Sequence, residues 1–265
     1  MHDPISFRVQ VLNDSTCVVC ETYPFVRSTL ALFPSVSFET VEIQSPEGQV
    51  LKDRYGLDRV PSFVLDAAFE KSARFARFQR TVTRVGDGFV PDMRMTAVTK
   101  ILAGSDVQGL DGFIDLAHPT SVVLVERLLR WMREVNAMDR LRLHFVGQGA
   151  GDRLFRQAFL KDTQRAWDAL LAYAWGQQQR RSDLSVEICL RQAGFDVSEF
   201  GALDDLILAQ QLEQMRRLGG RRDLVPFVVL DGQVVVSGAG LARVETIFYQ
   251  MHPEFAKKDR NVDRP

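Results

Sequence analysis

Two kinds of apolar spacing alternate along this chain. Phe7 to Leu12 has the period of a strand, Val18 to about Leu32 that of a helix, and Val36 to Ile43 again that of a strand. A helix is predicted from Ser45-Pro46-Glu47-Gly48 to Tyr55, because Pro46 suits a first turn, where its missing N–H has no intrahelical partner to lose. Arg59-Val60-Pro61-Ser62-Phe63-Val64-Leu65-Asp66 reads as a turn, a proline and a buried strand. Val82 to Val90, around Gly86-Asp87-Gly88, reads as a hairpin, and Met93 to Leu102 as a closing helix. Ala103 to Gly112, rich in glycine and aspartate, reads as a linker.

A second run of the same kind follows. Gly112 to Leu116 is a short strand, and Val122 to Ala137 is a helix with Val125, Leu128, Leu129 and Met132 on one face. Leu141 to Val146 alternates as a strand. Helical spacing then dominates residues 152 to about 218, as Asp152–Gln179, Asp183–Ala193 and Leu203–Leu218, with breaks at Gly194 and Gly201. Val225-Pro226-Phe227-Val228-Val229-Leu230 returns to strand, Asp231-Gly232 is a hairpin turn signal, Val234-Val235-Val236 is the partner strand, and Leu241 to Met251 is a last helix. Strands alternating with helices predict an α/β fold with a partly parallel sheet. The expected division is residues 1–105, residues 106–255 with a helical insertion at about 152–218, and a charged tail at 256–265.

A length of 265 residues suits one large domain or two of ordinary size. With 46% hydrophobic and 25% charged residues the composition is that of a soluble globular protein. The formal net charge of −1 gives no reason to expect nucleic acid or an anionic membrane as partner. No apolar run is long enough to span a bilayer. Met1-His2-Asp3-Pro4 carries neither a basic nor an apolar leader region. The expectation is cytoplasmic if Met1 is the native start, and periplasmic if an export signal has been removed.

The chemistry concentrates in Cys17-Val18-Val19-Cys20, between the first predicted strand and helix. Two cysteines at this spacing can close a small disulfide ring. A thiolate at a helix N-terminus is stabilised by unpaired backbone N–H groups and the helix dipole. Together these suggest thiol–disulfide exchange, with the Cys17–Cys20 disulfide as the redox group and no other cofactor. No second CxxC or histidine cluster completes a zinc site, so no metal is expected. The third cysteine, Cys189, lies among Val186, Ile188 and Leu190 and reads as a buried structural thiol. Trp131, Trp167 and Trp175 read as core or insertion-packing residues.

Strand, Cys17-x-x-Cys20, helix, strand, helix and then Val60-Pro61 opening a strand make the first half resemble thioredoxin. The resemblance implies that Pro61 follows a cis bond beside the dithiol, and that Val18, Val19, Val60 and Pro61 contact substrate. It implies attack by Cys17 and resolution by Cys20. Thioredoxins place a buried carboxylate six residues before the first cysteine, where this chain has Val11. Asp14, expected near the surface, or Glu21 would have to substitute. Val18 and Val19 add no charge or hydrogen-bond donor beside the thiolate, which implies a reductase or isomerase poise.

The second half resembles the DsbA-type oxidoreductases, on Phe113-Ile114-Asp115-Leu116-Ala117, on the helix and exit turn at Ser185–Phe200, and on Leu224-Val225-Pro226-Phe227. Where that family has Cys-Pro-x-Cys, this chain reads His118-Pro119-Thr120-Ser121. The implied fold is α/β, with two tandem thioredoxin-like domains, the second carrying a DsbA-type helical insertion. The implied function is a disulfide reductase or isomerase acting on protein or small-molecule disulfides with an unidentified redox partner. The second domain would hold a vestigial site at His118, Pro119, Thr120, Ser121, Val225 and Pro226 for substrate or partner binding. Two rival readings stand beside it. One is a non-catalytic binding or scaffold protein. The other is a glutathione-dependent transferase or isomerase using Ser121 in the second domain, as some relatives of the DsbA fold use serine.

Overall fold

The computed structural model describes residues 5–92, 97–104, 108–200, 204–218, 220 and 222–256. It packs as two compact units, Met1–Gly104 with Gln233–Met251, and Ser105–Gly232 with His252–Pro265.

The first unit runs β1 (Arg8–Asn13), α1 (Tyr23–Leu32), β2 (Ser37–Glu42), α2 (Pro46–Tyr55), β3 (Arg59–Val60) and β4 (Ser62–Asp66). A 3₁₀ turn at Ala67–Lys71, α3 (Phe75–Phe78), β5 (Val82–Val85), β6 (Gly88–Pro91) and β7 (Val98–Ile101) follow. One sheet has the order β2-β1-β4-β6-β5. β1 lies parallel to β2, from Arg8↔Ser37 to Asn13↔Glu42, and antiparallel to β4, with Val11 opposite Phe63. Period two then sorts the side chains of β1 between two cores. Val9 and Val11 join Phe25, Phe33, Phe63, Phe69 and Phe89 on one face. Leu12 joins Val41, Leu51, Tyr55, Val60 and Val64 on the other. α2 starts where Ser45 Oγ accepts the Gly48 N–H, and ends at Gly56, whose left-handed φ of 61° closes the cap.

The second unit runs β8 (Leu110–Ile114), α4 (Pro119–Glu134) and β9 (Leu141–Phe145). Next come α5 (Ala150–Lys161), α6 (Thr163–Gln178), α7 (Val186–Gln192), α8 (Asp204–Arg217) and β10 (Phe227–Leu230). β8 is parallel to β9 and antiparallel to β10. Val125, Leu128, Leu129 and Met132 of α4 are fully buried. A strand, a helix, a parallel strand and then an antiparallel strand led by an X–Pro bond thus occur twice. This is thioredoxin-like α/β architecture, with α5 to α8 inserted between β9 and β10.

The chain then supplies the first unit with β11 (Val234–Ser237) and α9 (Val244–Met251), before α10 (Pro253–Ala256). β11 pairs antiparallel with β7, and β7 with β3, so that Val60 lies opposite Lys100. Residues 233–251 therefore pack with the first unit, although sequence order groups them with the second.

Four local expectations change. The first helix starts at Tyr23 rather than Val18. Of the helix expected over Met93–Leu102, residues 98–101 are instead strand β7, and residues 93–96 lie outside the described set. β8 begins at Leu110, inside the expected linker, whose residues 105–107 are also outside that set. The long helix expected over Asp152–Gln179 divides at Asp162, whose carboxylate accepts the Arg165 N–H and caps α6. The charged tail from 257 lies outside the described residues.

Candidate active site

Cys17 and Cys20 are joined by a disulfide, their Cα atoms 5.4 Å apart. They sit in a turn between β1 and α1. The Cys17 N–H donates to the Asp14 carbonyl (3.0 Å) and the Cys20 N–H to the Cys17 carbonyl (3.3 Å). Both cysteines are half-buried, Val19 is buried, and Val18 is 76% exposed. The disulfide therefore lies at a surface with one apolar side chain projecting beside it.

The late start of α1 alters the electrostatics expected of this turn. Pro24 has to lie in the first helical turn, because deeper in the helix it would remove a backbone hydrogen bond and clash. Thr22 is the N-cap, and its side chain makes no capping bond. Cys17 thus lies six residues before the first helical residue, Tyr23. The helix field fades within about one turn. Cys20 is nearer to it than Cys17.

Asp14 is buried (4% exposed), where the sequence suggested the surface. Lys100 Nζ donates to Oδ2 (2.8 Å), while Gln44 Nε2 (3.1 Å) and the Thr16 N–H (3.0 Å) and hydroxyl (2.5 Å) donate to Oδ1. Burial pushes this carboxyl group up, but those donors outweigh it and hold it well below the usual carboxylate range. Glu21 is also engaged: Arg243 donates to both of its oxygens, at 2.7 and 2.8 Å, and lowers it. Both carboxylates expected to stand in for the missing proton acceptor are thus already paired with a cation. Lys100, Gln44 and Thr16 went unnoticed in the sequence. Lys100 lies 86 residues from its partner and no local pattern announces it.

The Val60–Pro61 bond is cis. Cys20 Sγ lies 3.5 Å from the Val60 carbonyl oxygen. A disulfide sulfur has no proton to donate, so this contact becomes a hydrogen bond only when Cys20 is a thiol.

In the second unit the Val225–Pro226 bond is also cis. His118 is the N-cap of α4, Pro119 opens the helix, and His118, Pro119 and Thr120 are exposed. Ser121 is fully buried, and its Oγ accepts the Asp115 N–H at 3.2 Å. The hydroxyl therefore pins the turn after β8 and is closed to a substrate. A cavity of about 170 Å³ is lined by Asp115, Val146, Gly147, Gln148, Arg222 and Val225. Trp131 and Trp167 are core residues, whereas Trp175 is 43% exposed. Cys189 is buried, and burial pushes its thiol up.

No model of a known protein family matches the chain, and no curated protein matches it. Solved structures do. The oxidoreductase DsbA from Xylella fastidiosa is 11% identical, with a TM-score of 0.45, over 60% of this chain and 96% of that one. The disulfide oxidoreductase DsbA from Proteus mirabilis is 16% identical, with a TM-score of 0.37, over 54% of this chain and 83% of that one. At such identities nothing about activity passes from those proteins to this one, and the chemistry has to be argued from the Cys17–Cys20 site.

Proposed function

We propose that the protein is a thiol–disulfide oxidoreductase that acts on protein disulfides through Cys17 and Cys20, with a reductase or isomerase poise. The observation that carries this reading is the disulfide itself, set in a surface turn against the Val60 carbonyl. In the reduced protein the Cys20 thiol has an acceptor within reach, which holds its proton and favours Cys17 as the thiolate. Cys17 attacks one sulfur of the substrate. The Cys17–substrate bond forms as the substrate S–S bond breaks, and the departing sulfur takes a proton from solvent. Cys20 gives its proton to water and attacks Cys17 Sγ. The Cys17–Cys20 bond forms, the mixed disulfide breaks, and the second substrate thiol leaves protonated. Substrate gains two electrons and two protons, and a dithiol donor must return them to the protein.

The poise follows from what surrounds the sulfurs. The α1 N-terminus begins beyond Cys17, Val18 and Val19 are apolar, and the Lys100 ammonium is paired with Asp14. A strongly stabilised thiolate favours the reduced form and makes an oxidant, whereas a weakly stabilised one leaves the Cys17–Cys20 disulfide comparatively stable, so that the dithiol gives up its electrons more readily. The second unit, which has no thiol at residues 118–121, serves in this reading as a surface for substrate or partner.

The test is reduction of insulin disulfides by the protein with dithiothreitol as donor, together with a redox titration of the Cys17–Cys20 pair. Turnover that vanishes in Cys17→Ser is the expected result. A parent protein without turnover, or a disulfide that stays closed in strong reductant, would overturn the proposal in favour of a scaffold.

A further inference from the structure

One buried acid lies outside the dithiol site. Asp152, in the first turn of α5, is 1% exposed. Its Oδ1 accepts the Leu116 N–H at 3.1 Å, which ties α5 to the turn after β8. Asp115 sits in that same turn, with Oδ1 accepting the Ala117 N–H at 2.9 Å. Gly147 separates the two carboxylates. A methyl group built on it would lie 2.5 Å from Asp115 Oδ1 and 2.6 Å from Asp152 Oδ2, so two acid oxygens converge on the space that only a glycine leaves open.

The cations nearby do not balance them. Arg156 is fully buried, but its guanidinium grips Asp204 of α8 with two bonds of 2.7 Å, and also donates to the carbonyls of Phe145 and Gly147. Arg153 faces Asp204 as well, at 3.7 Å. Arg153 and Arg156 thus engage Asp204 rather than Asp115 or Asp152, although the Arg156 charge lowers Asp152 in part. Tyr173 on α6 is pushed up by burial and by Asp152, and the buried Cys189 on α7 is pushed up too, so both stay neutral. His144 on β9 and Arg142 are committed to Asp111. Arg222 is exposed and lines the 170 Å³ cavity beside Asp115.

We propose that Asp115 and Asp152 form a proton-operated latch: a proton on Asp152 holds the turn after β8 against the loop after β9, and its loss drives the carboxylates apart and opens the cavity that Val225 lines. Burial and the Asp115 charge push Asp152 up to about 6, so the latch works in a range that cell compartments cross. The sign follows from linkage. A carboxyl group raised in the folded state stabilises most when protonated, below the usual carboxylate range, and that contribution is lost as pH rises through about 6.

The test uses the full chain with its disulfide intact. Carboxyl ¹³C NMR follows Asp152, identified by the resonance missing from Asp152→Asn. Hydrogen exchange of residues 113–121 and 146–152, corrected for the intrinsic pH dependence of exchange, follows opening. The expected results are an Asp152 midpoint near 6 and a loss of protection in both segments of about tenfold or more between pH 5 and 7.5. Asp152→Asn should stay protected at both pH values, and Asp115→Asn should lower the Asp152 midpoint. Should Asp152→Asn fail to fold, the wild-type exchange profile and the loss of its pH dependence in Asp115→Asn still decide. An Asp152 that titrates with ordinary carboxylates near pH 4, or protection that is equal at both pH values, would overturn the latch.

Discussion

Cys20 Sγ lies 3.5 Å from the carbonyl oxygen of Val60, the residue joined by a cis bond to Pro61. In the proposed reaction, reduction turns this contact into a thiol hydrogen bond and leaves Cys17 as the more available nucleophile. In the reduced protein, iodoacetamide is expected to alkylate Cys17 about tenfold faster than Cys20, since reactivity follows thiolate fraction and access. Peptide mass spectrometry after a short pulse reads the ratio. Cys20→Ser should accumulate a mixed disulfide with substrate on Cys17, and equal labelling of both cysteines would contradict the assignment.

Asp14 and Lys100 join the dithiol turn to β7, with Lys100 29% exposed on its side chain. Lys100→Met leaves the Asp14 carboxylate buried with only neutral donors, and should destabilise the fold by about 2–3 kcal/mol at pH 7. Urea unfolding with unchanged slope reads the difference. Because Asp14 is lowered in the folded state, its contribution is present above the usual carboxylate range and is lost as pH falls below it. Asp14→Asn should therefore flatten the acid limb of the stability profile.

Glu21 and Arg243 form an exposed bidentate pair. Such pairs contribute about 0–1 kcal/mol. Glu21→Gln should leave stability within that range and insulin reduction within about twofold, because a carboxylate already held by a guanidinium makes a poor proton acceptor. A tenfold fall in turnover with unchanged stability would instead give Glu21 a part in resolution.

Cys189 should stay silent. In the reduced native protein a chromogenic disulfide such as dithionitrobenzoate is expected to titrate Cys17 and Cys20 quickly, and Cys189 only after unfolding, since it is buried and its thiol is pushed up. Rapid reaction of all the cysteines in the native state would show that α7 opens readily.

What local patterns could and could not reveal divides along sequence separation. Period two in Phe7–Leu12, the first-turn proline Pro46 and the proline-led strands are short-range signals, and the corresponding strands and helix are where they were expected. The start of α1 was also available: Pro24 forbids a helix running through it from Val18. Asp162 as an N-cap inside a helical pattern was a similar sign. Other features have no local cause. Val98-Thr99-Lys100-Ile101 becomes a strand because β3 and β11 flank it. Asp14 is buried because Lys100 and Gln44 reach it, and Asp152 because α5 packs on the turn after β8. CxxC named the sulfurs from sequence alone, but the charges around them depend on residues brought from far along the chain.

The pairing of Val98 with Val236 sets an order of events during synthesis. β7 cannot gain that neighbour until β11 has left the ribosome, after residues 105–232 of the second unit have been made. Until then β7 keeps an open edge, to which a strand of another molecule could add. A nascent chain halted between Gly104 and Gln233 would thus carry the complete CxxC turn on an unfinished unit, at the stage when a chaperone would matter most.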